Sequence, residues 1–442
     1  MTKESEILSH RPARSDYLAH RGPLETERSL TATEKSIPSL RTNFAWTLAG
    51  NVIYGACQWG MLSALAKLGN ATIVGQFTLG LAVSAPIFML TNLQLRAVQA
   101  TDINAETGFA NYFTLRLVAT LLGLMVVVAL SPFAVSSSAV RAVVLLISLS
   151  KCIECMSDVT AGLLQREEQL KQVAISLMIR GIGSVLAFSL TYGLFHNLAL
   201  SILAMIAVWL MVLLFYDLQN TKVLLSHEYA LLHFDRRELW RLTRLGLPLG
   251  WVATLGSLNV NIPRYFLQHY LGLADQGLYA SLAYLVVAIN LVVVALSTSV
   301  STRLARLFAD RDHRKFVRLL TKLCLLGVSI TVIGVPLTFL VGRQLLTLLY
   351  RQEYADHVGL LALFVGVAGL STIGSFLFCG LTAARTFRMQ VPVFLATLLI
   401  GVAGAALLVP RCGLVGAGVA QLLSAVAFVI GGIWTLRRTL AA

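Results

Sequence analysis

A chain of 442 residues that is 57% hydrophobic and 13% charged holds about half the charge of a soluble globular protein, so it cannot clothe a water-facing surface. A net charge of +14 would suit nucleic acid in a soluble protein, but no aromatic-basic nucleic-acid motif is present. The basic residues instead fall in alternate loops, as in a membrane protein oriented by its charges.

Residues 1–41 are polar, mixed in charge and without an apolar h-region, so they are not a secretory signal peptide. Their composition is that of a disordered cytoplasmic leader. Apolar runs of about 20 residues follow, the length that crosses a bilayer as a helix. They lack the alternation of barrel strands. Six spans are expected at 43–68, 75–98, 109–131, 139–164, 172–195 and 198–218. After a Lys-, Arg- and His-rich stretch, 219–243, six more are expected at 244–270, 277–304, 316–341, 358–383, 391–409 and 414–436. The fold class is therefore all-α integral membrane, with about twelve transmembrane helices. The domains are an N-lobe over 42–218, a cytoplasmic linker over 219–243 and a C-lobe over 244–438.

An even count puts both termini on one side. That side holds about twenty-one basic residues, the opposite side five (Lys67, Arg141, Arg343, Arg351 and Arg411), which makes it cytoplasmic. The location expected is the inner (cytoplasmic) membrane. The loops opposite are short, 343–357 being the longest. The basic segment 303–322 reads as a topological anchor that also attracts anionic lipid.

The halves repeat. Leu68-Gly69 precedes Gly75-Gln76-Phe77 at the second span, and Leu271-Gly272 precedes Gly277-Leu278-Tyr279 at the eighth, an offset of 202 (277 − 75). Six helices per half, starting on the same side, make the repeat parallel, as in transporters whose substrate site lies between halves. The expectation is two pseudo-symmetric six-helix lobes.

Ionisable residues inside spans are the informative ones, because each costs several kcal/mol in hydrocarbon unless it has a cavity or partner. In the fourth span Lys151, Glu154 and Asp158 are spaced by three and four and share one helical face. Arg180 lies in the fifth span, roughly 12–15 Å from the same membrane face, against roughly 10 Å for Asp158, so a pair of Arg180 with Asp158 or Glu154 is geometrically reasonable. Arg96 and Arg116 lie near that depth. One reading is a cytoplasm-facing positive cavity for a phosphate-bearing head group, since the Arg fork can hold two oxygens. The other is an ion-pair network that only fixes helix packing. The carboxylates could also carry protons or sodium ions. In the seventh span, Pro263 loosens the helix beside Asn261 and Arg264; Arg264 is either a cavity-lining group or a snorkelling one.

No metal-ligand spacing is present. Cys152 and Cys155 form one CxxC in an apolar run without a second pair or histidines. No GxxxxGK[ST] suggests a nucleotide-driven pump. No cofactor is expected.

The two Leu-Gly then Gly-x-Phe/Tyr junctions, the Asn261-x-Pro263-Arg264-Tyr265 run, the charged fourth span and its Leu164-Gln165-Arg166 exit carry a resemblance over residues 43–438. The chain resembles the polysaccharide-biosynthesis (O-antigen flippase) branch of the multidrug/oligosaccharidyl-lipid/polysaccharide (MOP) exporter superfamily. The resemblance implies two six-helix lobes around a cavity that alternates between sides. It also implies movement of a polyprenyl-pyrophosphate-linked oligosaccharide to the outer leaflet for O-antigen, capsule or exopolysaccharide assembly. The partners implied are that glycan, membrane lipids and other polysaccharide-assembly membrane proteins. Such cavities are cationic, in keeping with Arg96, Arg116, Arg180 and Arg264, with Asn261 beside them; Lys151, Glu154 and Asp158 match a charged fourth span in kind, as coupling or ion-pair candidates. A drug or metabolite antiporter of the same superfamily would want an acidic, aromatic cavity. A membrane glycan polymerase or ligase would want a large outer loop, so no enzyme is expected.

Overall fold

The computed structural model describes residues 40–102, 107–135, 137–225, 232–384 and 386–441. The expected leader lies outside them except for its last two residues. Among the described residues every regular element is a helix, as lipid requires of any spanning structure that is not a closed barrel. The first half comprises α1 (Leu40–Leu68), α2 (Ala71–Thr91), α3 (Leu95–Thr101), α4 (Phe109–Ala134), α5 (Ser138–Arg166) and α6 (Leu170–Phe195). It closes with α7 (Leu198–Val212), a π-helical turn at Leu213–Asp217 and α8 (Leu218–Leu224). The second half comprises α9 (Arg236–Tyr270), α10 (Leu273–Leu285), α11 (Val287–Ala309), α12 (His313–Leu349), α13 (Val358–Ala383) and α14 (Phe387–Ala441). α14 holds the last two spans, divided at Gly413, which takes φ +57°.

All twelve expected spans are helical, with four differences in outline. The second span is two helices, because the backbone turns left-handed at Leu93 and Gln94 between α2 and α3. The eighth is divided at Val286, between α10 and α11. The ninth runs on to Leu349, so most of the expected loop 343–357 is helix, completed by a 3₁₀ turn at Gln352–His357. The stretch 219–243 is helical at both ends, as α8 and the start of α9. Among the described residues seven helices are long and apolar enough to cross a membrane. α5 holds Lys151, Glu154 and Asp158, and those charges pull its hydropathy down.

Short connections are closed by side chains. Asn70 caps α2 by accepting from the Ile73 N–H at 3.0 Å, and Asn197 caps α7 through the Leu200 N–H at 3.1 Å, each satisfying one of the free donors of a helix start.

The repeat offset reappears in the packing. A Cβ on Gly75 would collide with the Leu273 carbonyl, and one on Gly277 with the Ala71 carbonyl. Both pairs are related by 202 residues, so α2 and α10 cross as symmetry mates at their glycines. Small residues at such crossings let backbones approach where lipid offers no hydrophobic drive for association. Across the same contact Gln276 Nε2 donates to Thr78 Oγ1 at 3.1 Å, and from α9 the Tyr265 hydroxyl donates to the Ala82 carbonyl of α2. Toward the other end of α2, Gly246 and Gly250 of α9 sit against the backbone of Leu93 and Leu90. The halves thus meet along all of α2, whereas α1 and α11 on the opposite flank touch sparsely.

Candidate functional site

Between the halves lies a cavity of about 720 Å³, walled by α1, α2, α5, α7, α10, α11 and the end of α12. Its polar groups are few. Lys151 and Glu154 stand one turn apart on α5 and pair at 2.6 Å, each side chain about a third exposed or less (27% and 32%). Tyr54 and Gln58 of α1, Trp59 beside them, Trp209 of α7 and Tyr284 of α10 supply an aromatic surround. Toward the sparse flank the lining turns apolar and open, with Val52 of α1 46% exposed and Val292 of α11 56% exposed.

A side pocket of about 80 Å³ shares Tyr54 and Glu154 with the main cavity. It is lined by Arg96, Asp158, Ser176, Arg180 and Asp217. Asp158 binds two arginines: Arg116 Nη2 at 3.1 Å and Arg96 Nη1 at 3.4 Å. Arg116 is fully buried and also donates to the Asn92 carbonyl at 2.8 Å, closing the broken end of α2. Arg96 is 35% exposed and donates through Nε to Gln165 Oε1 at 3.1 Å. Two cations share this half-buried carboxylate and satisfy most of its lone pairs.

The expected pairing of Arg180 with Asp158 or Glu154 is replaced by a different arrangement. Among the described residues Glu154 pairs with Lys151, and Asp158 with Arg96 and Arg116. Arg180 sits instead over the Tyr54 ring, 6.0 Å from its centroid, and faces Asp217. Arg264 and Asn261 lie together, Arg264 Nη1 donating to Asn261 Oδ1 at 3.2 Å. Arg264 backs the Tyr284 ring at 5.8 Å and stands off the cavity lining in this conformation. Lys151, Glu154, Asp158, Arg96, Arg116 and Arg180 thus come together, while Arg264 and Asn261 form a second cluster behind Tyr284. Around the first cluster four cations face three carboxylates once Asp217 is included.

Asp217 is the site residue that the sequence hides. It stands near the end of an apolar run and reads as an interfacial acid. The π-helical turn inserts one extra residue into the helix and carries Asp217 inward, where it is only 2% exposed. The hydroxyls of Ser157 and Ser176 face its carboxylate. Yet Asp217 Oδ2, both hydroxyls and Arg180 Nε are buried without a hydrogen-bond partner. Among the described residues no cluster of His, Cys, Asp and Glu is arranged to hold a metal ion.

No protein-family profile matches the chain. The chain is 27% identical over 390 residues, 86% of its length and 95% of the relative's, to the capsular polysaccharide biosynthesis protein CapF of Staphylococcus aureus. Among solved structures, the lipid II flippase MurJ in an inward closed conformation superposes with a TM-score of 0.71 at 10% identity, over 88% of this chain and 86% of that one. A multidrug resistance MATE family transporter of the MOP superfamily, inward-facing, superposes with a TM-score of 0.64 at 14% identity, over 91% and 96%. The class is thereby defined: a multi-pass membrane protein with the fold of MOP-superfamily transporters, whose structural neighbours are transporters and flippases and not enzymes. Within that class the sequence likeness falls on a polysaccharide-biosynthesis protein, as the resemblance read from the motifs implies.

Proposed function

We propose that this protein is a flippase. It moves a polyprenyl-pyrophosphate-linked oligosaccharide from the cytoplasmic to the outer leaflet of the inner membrane by alternating access. Residues 42–218 and 244–438 act as its two lobes, joined by the linker 219–243, with both termini cytoplasmic. The single observation that carries this reading is the shape of the central cavity. It has a charged wall on α5, an aromatic surround suited to sugar rings, and an open apolar flank between α1 and α11. A head group of sugars and phosphates cannot cross hydrocarbon, because each unpaired polar or charged group costs several kcal/mol there. A prenyl tail has no such cost. The open flank lets the tail stay in lipid while the head group is held among Lys151, Arg96 and Arg180, with Arg116, Arg264 and Asn261 behind them. Arginine can meet a phosphate with two parallel N–H bonds. Glu154 holds Lys151, and Asp158 holds Arg96 and Arg116, when the cavity is empty.

A second reading, an ion-coupled small-molecule antiporter, draws support from the same aromatic surround and from Glu154 on the wall. The test is mass spectrometry of lipid-linked oligosaccharides in the native host with and without the gene, together with an assay of leaflet exposure. Deletion is expected to trap an intact polyprenyl-linked oligosaccharide in the cytoplasmic leaflet, and re-expression to release it. An unchanged pool with unchanged sidedness overturns the flippase reading in favour of the antiporter.

A further inference from the structure

The break in the second span links the side pocket to the contact between halves. Leu93 and Gln94, neither of them glycine, take φ +53° and +50°, a left-handed conformation that L side chains avoid and that persists only where surroundings impose it. Two sets of contacts impose it here. On the first-half side, Arg116 ties the Asn92 carbonyl to Asp158. Arg96, the second residue of α3, ties that helix to Asp158 and Gln165 of α5. Gly162 of α5 lets α3 come close, since a Cβ there would collide with the side-chain amide of Gln99 on α3. On the second-half side, the Leu93 carbonyl rests in the space left by the missing side chain of Gly246 on α9. The break is thus where the tether of α3 and the backbone of α9 meet.

The two arginines on Asp158 are unequal. Arg116 is fully buried at 3.1 Å, whereas Arg96 is longer at 3.4 Å and 35% exposed toward a pocket that adjoins the main cavity. That pocket has room for about two or three waters, the scale of one phosphate group. A phosphate can take both N–H groups of one Arg96 edge, which the single 3.4 Å contact to Asp158 does not. Asp158 would keep Arg116, so no carboxylate would be stranded.

We propose that Arg96 hands over from Asp158 to a phosphate of the substrate, and that this handover frees α3 from α5, relaxes the left-handed break and shifts α9 through the Leu93–Gly246 contact. Arg96 is then a binding residue whose departure from α5 reports occupancy to the other half. The proposal rests on the phosphate-bearing substrate proposed above.

The test uses the full chain in lipid nanodiscs, spin-labelled at Lys171→Cys and Arg314→Cys, with farnesyl pyrophosphate as probe and farnesol as control. Binding and inter-label distance are measured separately. The unmodified site is expected to bind the pyrophosphate and change the distance, with farnesol doing neither. Arg96→Gln is expected to weaken binding roughly tenfold or more and to abolish the distance change even at saturation. Gln94→Gly, which accepts positive φ without strain, is expected to bind as before and lose most of the distance change. A full distance change in Arg96→Gln at saturation overturns the handover and leaves the substrate reading standing. Absence of pyrophosphate binding in the parent protein overturns both. Arg96→Lys should recover charge and binding in part but not the full distance change; complete recovery by Lys overturns the two-pronged contact.

Discussion

Asp158 holds the charged cluster together because two arginines share it. Arg116 is fully buried, so removing Asp158 leaves its charge without compensation, at about 3–5 kcal/mol. Asp158→Leu should therefore lower the thermal midpoint of the purified protein sharply, and Asp158→Leu with Arg116→Leu should recover much of the loss; equal destabilisation of the single and double variants would remove the stranded Arg116 charge as the reason. The Lys151–Glu154 pair decides a different matter. It stands on the cavity wall with both groups partly exposed, where a packing role needs only that the two charges cancel. Lys151→Met with Glu154→Leu should insert and fold, yet lose transport about tenfold or more, since hydrogen bonds to charged groups are worth about 1.5–3 kcal/mol. Normal transport by that double variant would reduce the pair to packing.

At the scale of helices, membrane packing depends on how closely backbones can approach. The α2–α10 crossing has no spare space: a methyl on Gly277 meets the Ala71 carbonyl, and backbone cannot rotate aside as a side chain can. Gly277→Ala should cost about 1–3 kcal/mol, the usual range for overpacking. The loss would show as a lower thermal midpoint and as weakened cross-linking between cysteines introduced into α2 and α10. The same substitution at Gly256, which meets nothing within 4 Å, should be neutral or slightly stabilising, because alanine favours helix. The division of the eighth span at Val286 stands in the same class of local events as the second-span break. It falls beside Tyr284 and Leu285 on the cavity lining and leaves the helix to continue by 3₁₀-like bonds, with the Val286 N–H reaching the Ala283 carbonyl at 3.2 Å.

Over the whole molecule, the imbalance of basic residues sets an orientation that the exposed cysteine can test. Cys412 is exposed and adjoins the turn at Gly413 between the last two spans, whereas Cys155 is buried and the other four are half-buried. A membrane-impermeant maleimide should label the protein in intact spheroplasts, and Cys412→Ser should remove that label. Labelling that appears only after lysis would place the termini on the opposite side from the one proposed.

The second span shows where reading the chain stops. Its apolar run from Gly75 onward is plain, but the left-handed turn at Leu93 and Gln94 contains no glycine or proline to announce it. Arg116, the Asn92 carbonyl and α9 impose it from outside. Asp217 was illegible for a related reason: a lone acid at the end of an apolar run gains meaning only when a π-helical turn draws it inward. Arg180 was legible as a buried charge, but its choice of Tyr54 and Asp217 over Asp158 was not. Both options lie within reach of a long side chain, and Asp158 is already taken by two arginines from other helices.

By itself the sequence determined the membrane class, the twelve helical runs, the parallel repeat at an offset of 202 and the short roster of charged residues that lipid would not tolerate alone. Those follow from composition, length and periodicity, which act locally along the chain. Only the tertiary structure decided which charges pair, which stand on the cavity wall, where helices break and on which flank the halves part. Each of these is a competition between groups far apart in sequence, settled by distance and by the low dielectric that makes every unpaired charge costly.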